Sequence, residues 1–475
     1  MTLIYRCQTI TKEAATMLSP ETTEHSITAG SIWKPLLLFF FPILFGTFFQ
    51  QFYTTIDTII VGRGVGKQAL AAVGVCAPFI NLLVGFFTGL SSGAGVVISQ
   101  HYGARQHDKL QGCVHTAITL ALIAGVAFLA LGMVCAPTVL RLMRTPDEIF
   151  DQSVLYIRLY FCGMIPQLLY NMGAGILRSV GDSKRPLYFL IAASLTNIGL
   201  DLLFVLVFHW GIAGAAIATV LSQFLSAGLM LLALTHSGGA PYVLFFSDLG
   251  IRPDLLRSMI RIGLPAGLQS VMYTVSNLII QSSVNTFDTD AIAAWTAYGS
   301  LDAIFWMSLS SMGLAVTTFS GQNFGSGQYD RIHKGAMASL AISAIITALC
   351  MALFLGFTQP LLTLFNNDPA VVTCGITMVR FLVPAYPLYI CIEVFSGTLR
   401  GTGDTLVPTL LTCVGVCVLR VGWIALALPR FNSLETVMFS YPLTWGITSA
   451  CYVIYYARGK WLKRRIAVIE ALRQG

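Results

Sequence analysis

Gln100-His-Tyr-Gly-Ala-Arg-Gln-His-Asp-Lys109 returns 222 positions later as Gln322-Asn-Phe-Gly-Ser-Gly-Gln-Tyr-Asp-Arg331. At the same offset, Leu177-Arg-Ser-Val-Gly-Asp-Ser-Lys-Arg-Pro186 returns as Leu399-Arg-Gly-Thr-Gly-Asp-Thr-Leu-Val-Pro408. A fixed long period means that one structural unit is built twice. The chain is 56% hydrophobic and 10% charged with mean hydropathy +0.75, which excludes an ordinary soluble globule. Two similar, almost wholly apolar halves point to two membrane bundles, the arrangement in which secondary transporters place a substrate site at the repeat interface.

Working outward from the repeats, the charges fall in short clusters between apolar runs long enough to cross a hydrocarbon core of about 30 Å. Twelve spans are expected: 35–61, 69–100, 111–140, 153–178, 186–208, 211–235, 258–285, 291–321, 335–358, 373–400, 406–429 and 435–457. Lipid offers no partner to an unpaired amide, so the spans must be helices. The expected fold class is an all-α membrane protein with twelve transmembrane helices in two six-helix pseudo-symmetric lobes. An even number of spans per half inserts both halves in one orientation, related by an axis along the membrane normal. The expected boundaries are 1–34 for a cytoplasmic N-terminal tail, 35–235 for the N-lobe, 236–257 for a solvated cytoplasmic linker, 258–457 for the C-lobe and 458–475 for a basic cytoplasmic tail.

Most of the 28 lysines and arginines lie in the tails and even-numbered loops, which puts both termini in the cytoplasm of a multi-pass protein of the cell (inner) membrane. The net charge of +7 is concentrated in Arg458, Lys460, Lys463, Arg464 and Arg465, a contact for anionic membrane lipids and not a nucleic-acid patch. Residues 1–30 are mixed and polar, without the pattern of a signal peptide. Of the 11 cysteines, nine lie in or against apolar spans and read as free packing thiols. The seven histidines have no ligand spacing, so no metal is expected, and the chain reads as a monomer. Gly85, Gly89 and Gly93, four apart, form a small-residue stripe for close helix contact.

Four of the 21 acidic residues lie inside spans: Asp57, Asp201, Asp302 and Glu393. A carboxylate in a bilayer costs at least ~3 kcal/mol, so each needs a partner or a watery cavity and is a functional candidate by default. Asn197 and Asp201 are four apart and share a helix face. The repeat supplies a control: Asp57 aligns with Asn277 and Asp201 falls opposite Trp423, so the second bundle does without both carboxylates. Arg420, inside span eleven, is a candidate counter-charge for Glu393 or Asp302. Tyr273, Tyr298, Trp306 and Met307 make the C-terminal half rich in polarizable groups suited to flat lipophilic cations, alongside Glu393 and Asp302 as a second substrate or ion site.

Two enzyme-like strings fail on context. Gly89-Leu-Ser91-Ser-Gly93 fits a nucleophile elbow but lies in a membrane helix. Gly64-Val-Gly66-Lys67-Gln68 lacks the leading glycine and hydroxyl residue of a phosphate loop. Without a nucleotide site the driving force must be an ion gradient, and no cofactor is expected beyond transported H⁺ or Na⁺.

Over residues 30–457 the chain resembles the multidrug and toxic compound extrusion (MATE) transporters of bacteria. The resemblance rests on Ile56-Asp57-Thr58-Ile-Ile-Val-Gly62, the loops after Gln100 and Gln322, Asn197-Ile-Gly-Leu-Asp201, and Gly211-Ile-Ala-Gly214-Ala-Ala-Ile-Ala-Thr219. It implies two six-helix lobes around a V-shaped cleft that opens alternately to the two membrane faces. It also implies antiport of small organic, often cationic drugs against protons or sodium. Asp57, Asn197 and Asp201 match the family's N-lobe cation cluster, Pro42 matches the proline about which the first helix bends, and Glu393 resembles an acidic position of another branch. Two other readings stay open at this point: a lipid-linked oligosaccharide flippase of the same superfamily, which would want a cationic cavity, and an intramembrane serine hydrolase using Ser91.

Overall fold

The computed structural model describes the backbone of residues 27–474 and the side chains of residues 27–467. The expected N-terminal tail therefore falls mostly outside the described residues. Among those described, every regular element is helical. The helices are α1 (Trp33–Gly64), α2 (Lys67–Gly103), α3 (His107–Leu142), α4 (Asp147–Cys162), α5 (Met164–Ser179), α6 (Lys184–Asp201), α7 (Gly211–Thr235) and α8 (Pro253–Val284). The second half continues with α9 (Thr289–Gly325), α10 (Tyr329–Gly356), α11 (Thr358–Thr363), α12 (Pro369–Leu382), α13 (Pro387–Gly401), α14 (Leu406–Thr412), α15 (Leu419–Ala427), α16 (Leu434–Ala457) and α17 (Lys460–Gln474).

All twelve expected spans are helical. Nine qualify singly as apolar membrane-crossing helices among the described residues, and α12 with α13 makes a tenth, bent by 49°. Of the other two, the fourth is broken at Gly163 between α4 and α5, and the seventh, α8, carries Arg257 and Arg261 near its start. Spans five and eleven are also less regular than their apolar runs suggest. Each contains a π-helical turn, Leu202–Val207 after α6 and Cys413–Val418 between α14 and α15.

The repeated sequences turn out to be helix stops. After α2, Gln106 N–H donates to His101 O at 3.0 Å and Arg105 N–H to Tyr102 O at 3.1 Å; after α9, Gln328 N–H donates to Asn323 O at 2.8 Å and Gly327 N–H to Phe324 O at 3.2 Å. The second pair of repeats closes α5 and α13 in the same way, with Asp182 N–H on Leu177 O at 2.9 Å and Asp404 N–H on Leu399 O at 3.0 Å. This pairing satisfies the last carbonyls of a helix and requires a left-handed residue. Gly181, Gly327 and Gly403 supply it with φ of 102°, 76° and 83°, whereas the fourth stop uses Arg105 at φ 55°. Starts are fixed as well: Asp288, Asp368 and Ser433 cap α9, α12 and α16 through their side chains.

The described chain packs as two compact units, Phe41–Gly263 and Ile27–Phe40 with residues 264–474. The first has a core of Phe87, Phe161, Leu168, Met172 and Ile176, all essentially sealed. Within it α2 and α8 touch backbone to backbone: a side-chain carbon on Gly263 would lie 2.6 Å from Leu90 O, and one on Gly93 would overlap Gly263 itself. The glycine stripe expected on span two is thus a contact surface at Gly93. The connection at 236–252 is less solvated than its charges suggest, since Tyr242 and Leu244 are 6% and 1% exposed. It is tied down by Arg185, which ion-pairs with Asp182 and donates to Tyr242 Oη at 2.9 Å, and by Phe245 N–H donating to His115 Nε2 at 3.0 Å. Burial holds the Tyr242 phenol above its ordinary pKa, with Arg185 pulling the other way. The second unit has an aromatic core in which Phe305 stacks on Tyr386 at 3.9 Å and Trp445 is 1% exposed.

Candidate functional site

Two neighbouring features of span five present its polar residues. Asn197 and Asp201 stand one turn apart on α6 and are 1% and 0% exposed, so their shared face points into the first unit. Directly after Asp201 the helix widens into its π turn, where Phe208 N–H reaches back five residues to Leu203 O at 2.9 Å. Such turns insert one extra residue and are frequent at functional positions. Asp57, half-buried on α1, comes from across the bundle, and its carboxyl interacts directly with that of Asp201 while falling short of a well-formed hydrogen bond.

Asp57 Oδ1, both side-chain polar atoms of Asn197 and both carboxylate oxygens of Asp201 are buried without a hydrogen-bond partner. Leaving one buried polar atom unpaired costs roughly 1–3 kcal/mol, more where charge is involved. Two facing carboxyls shielded from water cannot both stay charged unless something positive lies between them. Chemically, the cluster is a set of oxygens waiting for a proton or a small hard cation.

Sequence reasoning missed part of its surroundings. Tyr53 and Tyr156 lie within electrostatic reach of both carboxyls. Tyr160 Oη donates to Gln167 Oε1 at 3.4 Å, and Gln223 Nε2 approaches the same oxygen at 3.5 Å. Gln223 Oε1 is itself buried and unpartnered. The signal was available, since Gln167 and Gln223 are uncharged amides inside apolar runs; a search confined to carboxylates passes over them.

In the second unit, Asp302 is surrounded by donors. It accepts from Tyr386 Oη at 2.7 Å, Trp306 Nε1 at 2.7 Å and Tyr298 Oη at 3.3 Å. Two of these donors, Tyr298 and Trp306, sit four residues to either side on the same helix. Tyr298 is 4% exposed and packs as core, while Tyr273, Trp306 and Met307 are partly exposed. Tyr273 and Tyr389 share a hydroxyl contact of 2.7 Å. Glu393 lies against Gly313, whose missing side chain leaves room for the carboxylate. Arg420 pairs with neither acid; its guanidinium lies 4.1 Å over the Tyr441 ring and reaches Thr444 Oγ1 at 3.4 Å. Pro42 is half-buried inside α1. Ser91 is 5% exposed, with its hydroxyl on Asn171 O at 3.4 Å and beside the Met172 sulfur at 3.6 Å. Neither neighbour is a base that could activate a nucleophile.

Comparison with known proteins follows the same division into halves. The family profile described as MatE matches residues 42–203 and 265–424. The chain is 28% identical over 447 residues to the probable multidrug resistance protein YoeA of Bacillus subtilis, covering 92% of this chain and 96% of that protein. It is 25% identical over 446 residues to the FAD transporter of Shewanella oneidensis, covering 90% and 96%. Among solved structures, an outward-facing multidrug resistance MATE family transporter of the MOP superfamily matches with TM-score 0.86 at 22% identity, over 94% of this chain and 99% of that one. A MOP superfamily transporter from Pyrococcus furiosus matches with TM-score 0.85 at 22% identity over the same shares. These likenesses establish the all-α membrane fold of twelve helices in two lobes.

Proposed function

The chain belongs to the MatE family of multi-pass membrane transporters, not enzymes, and from that premise we propose that it is a secondary active multidrug exporter. It exchanges small organic, often cationic and lipophilic compounds for protons or sodium by alternating access. It works in the cell membrane with both termini in the cytoplasm. Asp57, Asn197 and Asp201 form the cation-coupling site, and Glu393, Tyr273, Trp306 and Met307 are candidates to meet substrate in the second unit.

The observation that carries this reading is the cluster of five buried, unpartnered polar atoms on Asp57, Asn197 and Asp201. When a proton or sodium ion enters, the negative charge of the cluster is neutralised, packing around Pro42 on α1 changes, and a bound organic cation is released. One elementary charge moved across 100 mV is worth about 2.3 kcal/mol, close to a 50-fold concentration ratio without ATP. The relatives' names, multidrug resistance protein among them, support the substrate class.

The test is dye efflux from proteoliposomes under imposed gradients. An imposed pH gradient or sodium gradient drives efflux from wild type, and whichever does so identifies the coupling ion. Asp57→Asn and Asp201→Asn each lower gradient-driven efflux at least tenfold. Undiminished efflux in the double variant rejects the assignment of the site.

A further inference from the structure

The polar atoms left unmet in the second unit have the opposite character to those in the first. Among the described residues they belong to serine and threonine hydroxyls, the Trp445 indole and the Arg420 guanidinium, and none to a carboxyl. Arg420 Nε and Trp445 Nε1 are buried without a partner, on residues only 3% and 1% exposed. Indole and guanidinium N–H groups can only donate. Where the Asp57 cluster calls for a proton or a cation, these two call for an acceptor.

Both lie against one ring. Arg420 Cζ sits 4.1 Å over the Tyr441 centroid, and Trp445 packs edge-on to the same ring at 5.4 Å and 80°. Tyr441 and Trp445 come from α16, and Arg420 from α15, two residues after the π turn of span eleven. A cation buried in a membrane helix is costly and is kept where it has a partner or a task. Asp302 lies within electrostatic reach of the guanidinium, but its oxygens are taken by Tyr386, Trp306 and Tyr298, so it balances the charge through space without meeting Nε. Packing alone would explain the cation–π contact with Tyr441, yet it leaves that donor stranded. Around the pair stand rings that are open to a ligand. Tyr441 and Trp306 are partly exposed and flank Trp445, with the Trp306 centroid 5.9 Å from that of Trp445.

We propose that Arg420 determines specificity in the second unit by taking the carboxylate of a flat aromatic compound, whose rings lie against Trp306 and Tyr441 once the Tyr441 ring turns off the guanidinium. The planar fork of an arginine, Nε included, matches the two oxygens of a carboxylate. An organic cation gains nothing at these donors, and a small inorganic anion makes no use of the rings. The proposal rests on the exporter reading and deepens it, adding aromatic acids, zwitterions among them, to the cationic compounds.

The test is equilibrium dialysis of the purified full chain in detergent at neutral pH, with no gradient present, against 7-hydroxycoumarin-3-carboxylate and the matching 3-carboxamide. Wild type is expected to bind the carboxylate at least fivefold more tightly than the amide. Arg420→Gln brings the two to within twofold of each other, while Arg420→Lys, which keeps the charge and loses the fork, retains only part of the preference. Size exclusion shows which variants fold; should Arg420→Gln fold poorly, Arg420→Lys alone is expected to lose at least twofold in carboxylate affinity. The Asp57→Asn, Asp201→Asn double variant keeps the preference whatever becomes of its efflux, which separates failure here from failure of the exporter reading. A preference undiminished in the folded Arg420 variants overturns the proposal. So does a wild type that binds acid and amide equally, or displacement of the probe by chloride as effective as by excess coumarin carboxylate.

Discussion

Two aspartates inside spans, Asp201 fully buried and Asp302 half-buried, stand in opposite circumstances. Asp302 is met by three donors, and removing its side chain strands the Tyr386 hydroxyl and the Trp306 indole in the second core. Each stranded donor costs roughly 1–3 kcal/mol, so Asp302→Ala is expected to lower the melting temperature markedly in detergent, and Asp302→Asn, which keeps an acceptor oxygen, by less than half as much. Asp201 has no donor to lose. Asp201→Asn is expected to leave the melting temperature unchanged or raised while gradient-driven transport falls at least tenfold, the usual exchange of stability for function at a site. A thermal loss in Asp201→Asn as large as that of Asp302→Ala contradicts this contrast. Asp57 and Asp201 were legible in sequence because a charge in an apolar run stands out. The role of Asp302 was not, because Tyr386 arrives from the bend before α13, 84 positions away.

Helices and their stops were readable to different depths. The apolar runs mark where α1, α2, α3 and α7 lie, since lipid demands length and apolarity and little else. The π turns and the break at Gly163 depend on how neighbours pack, and no local pattern announces them. The stops carry their own conformational signature. Arg105 occupies the left-handed position that Gly327 fills in the other copy, at a cost to a non-glycine residue of about 1 kcal/mol. Arg105→Gly is expected to raise the melting temperature by a few degrees, and Gly403→Ala to lower it. Differential scanning fluorimetry reads both, and equal shifts in the same direction contradict the assignment. Gly263→Val drives a side chain into the Leu90 backbone of α2. Loss of monodisperse protein on size exclusion is the expected result, whereas Gly228→Ala, with open space around it, behaves as wild type.

At the scale of the whole chain, fold is duplicated and candidate chemistry is not. Asn277, the counterpart of Asp57, is exposed, and Trp423, opposite Asp201, donates its indole N–H to Thr436 O at 2.9 Å. A carboxylate placed at 277 thus finds no facing partner. Asn277→Asp in an Asp57→Asn background is therefore expected to restore no transport, and recovery to more than a tenth of wild-type efflux argues against a site confined to one half.

The matched left-handed stops have a bearing on how the duplication is dated. Acyl chains accept nearly any greasy residue, so membrane-facing stretches of two sister segments drift apart freely, while a backbone bend that tolerates few alternatives holds its letters. Kinship between the halves is therefore written in the punctuation, and an age inferred from those few conserved marks would come out too young.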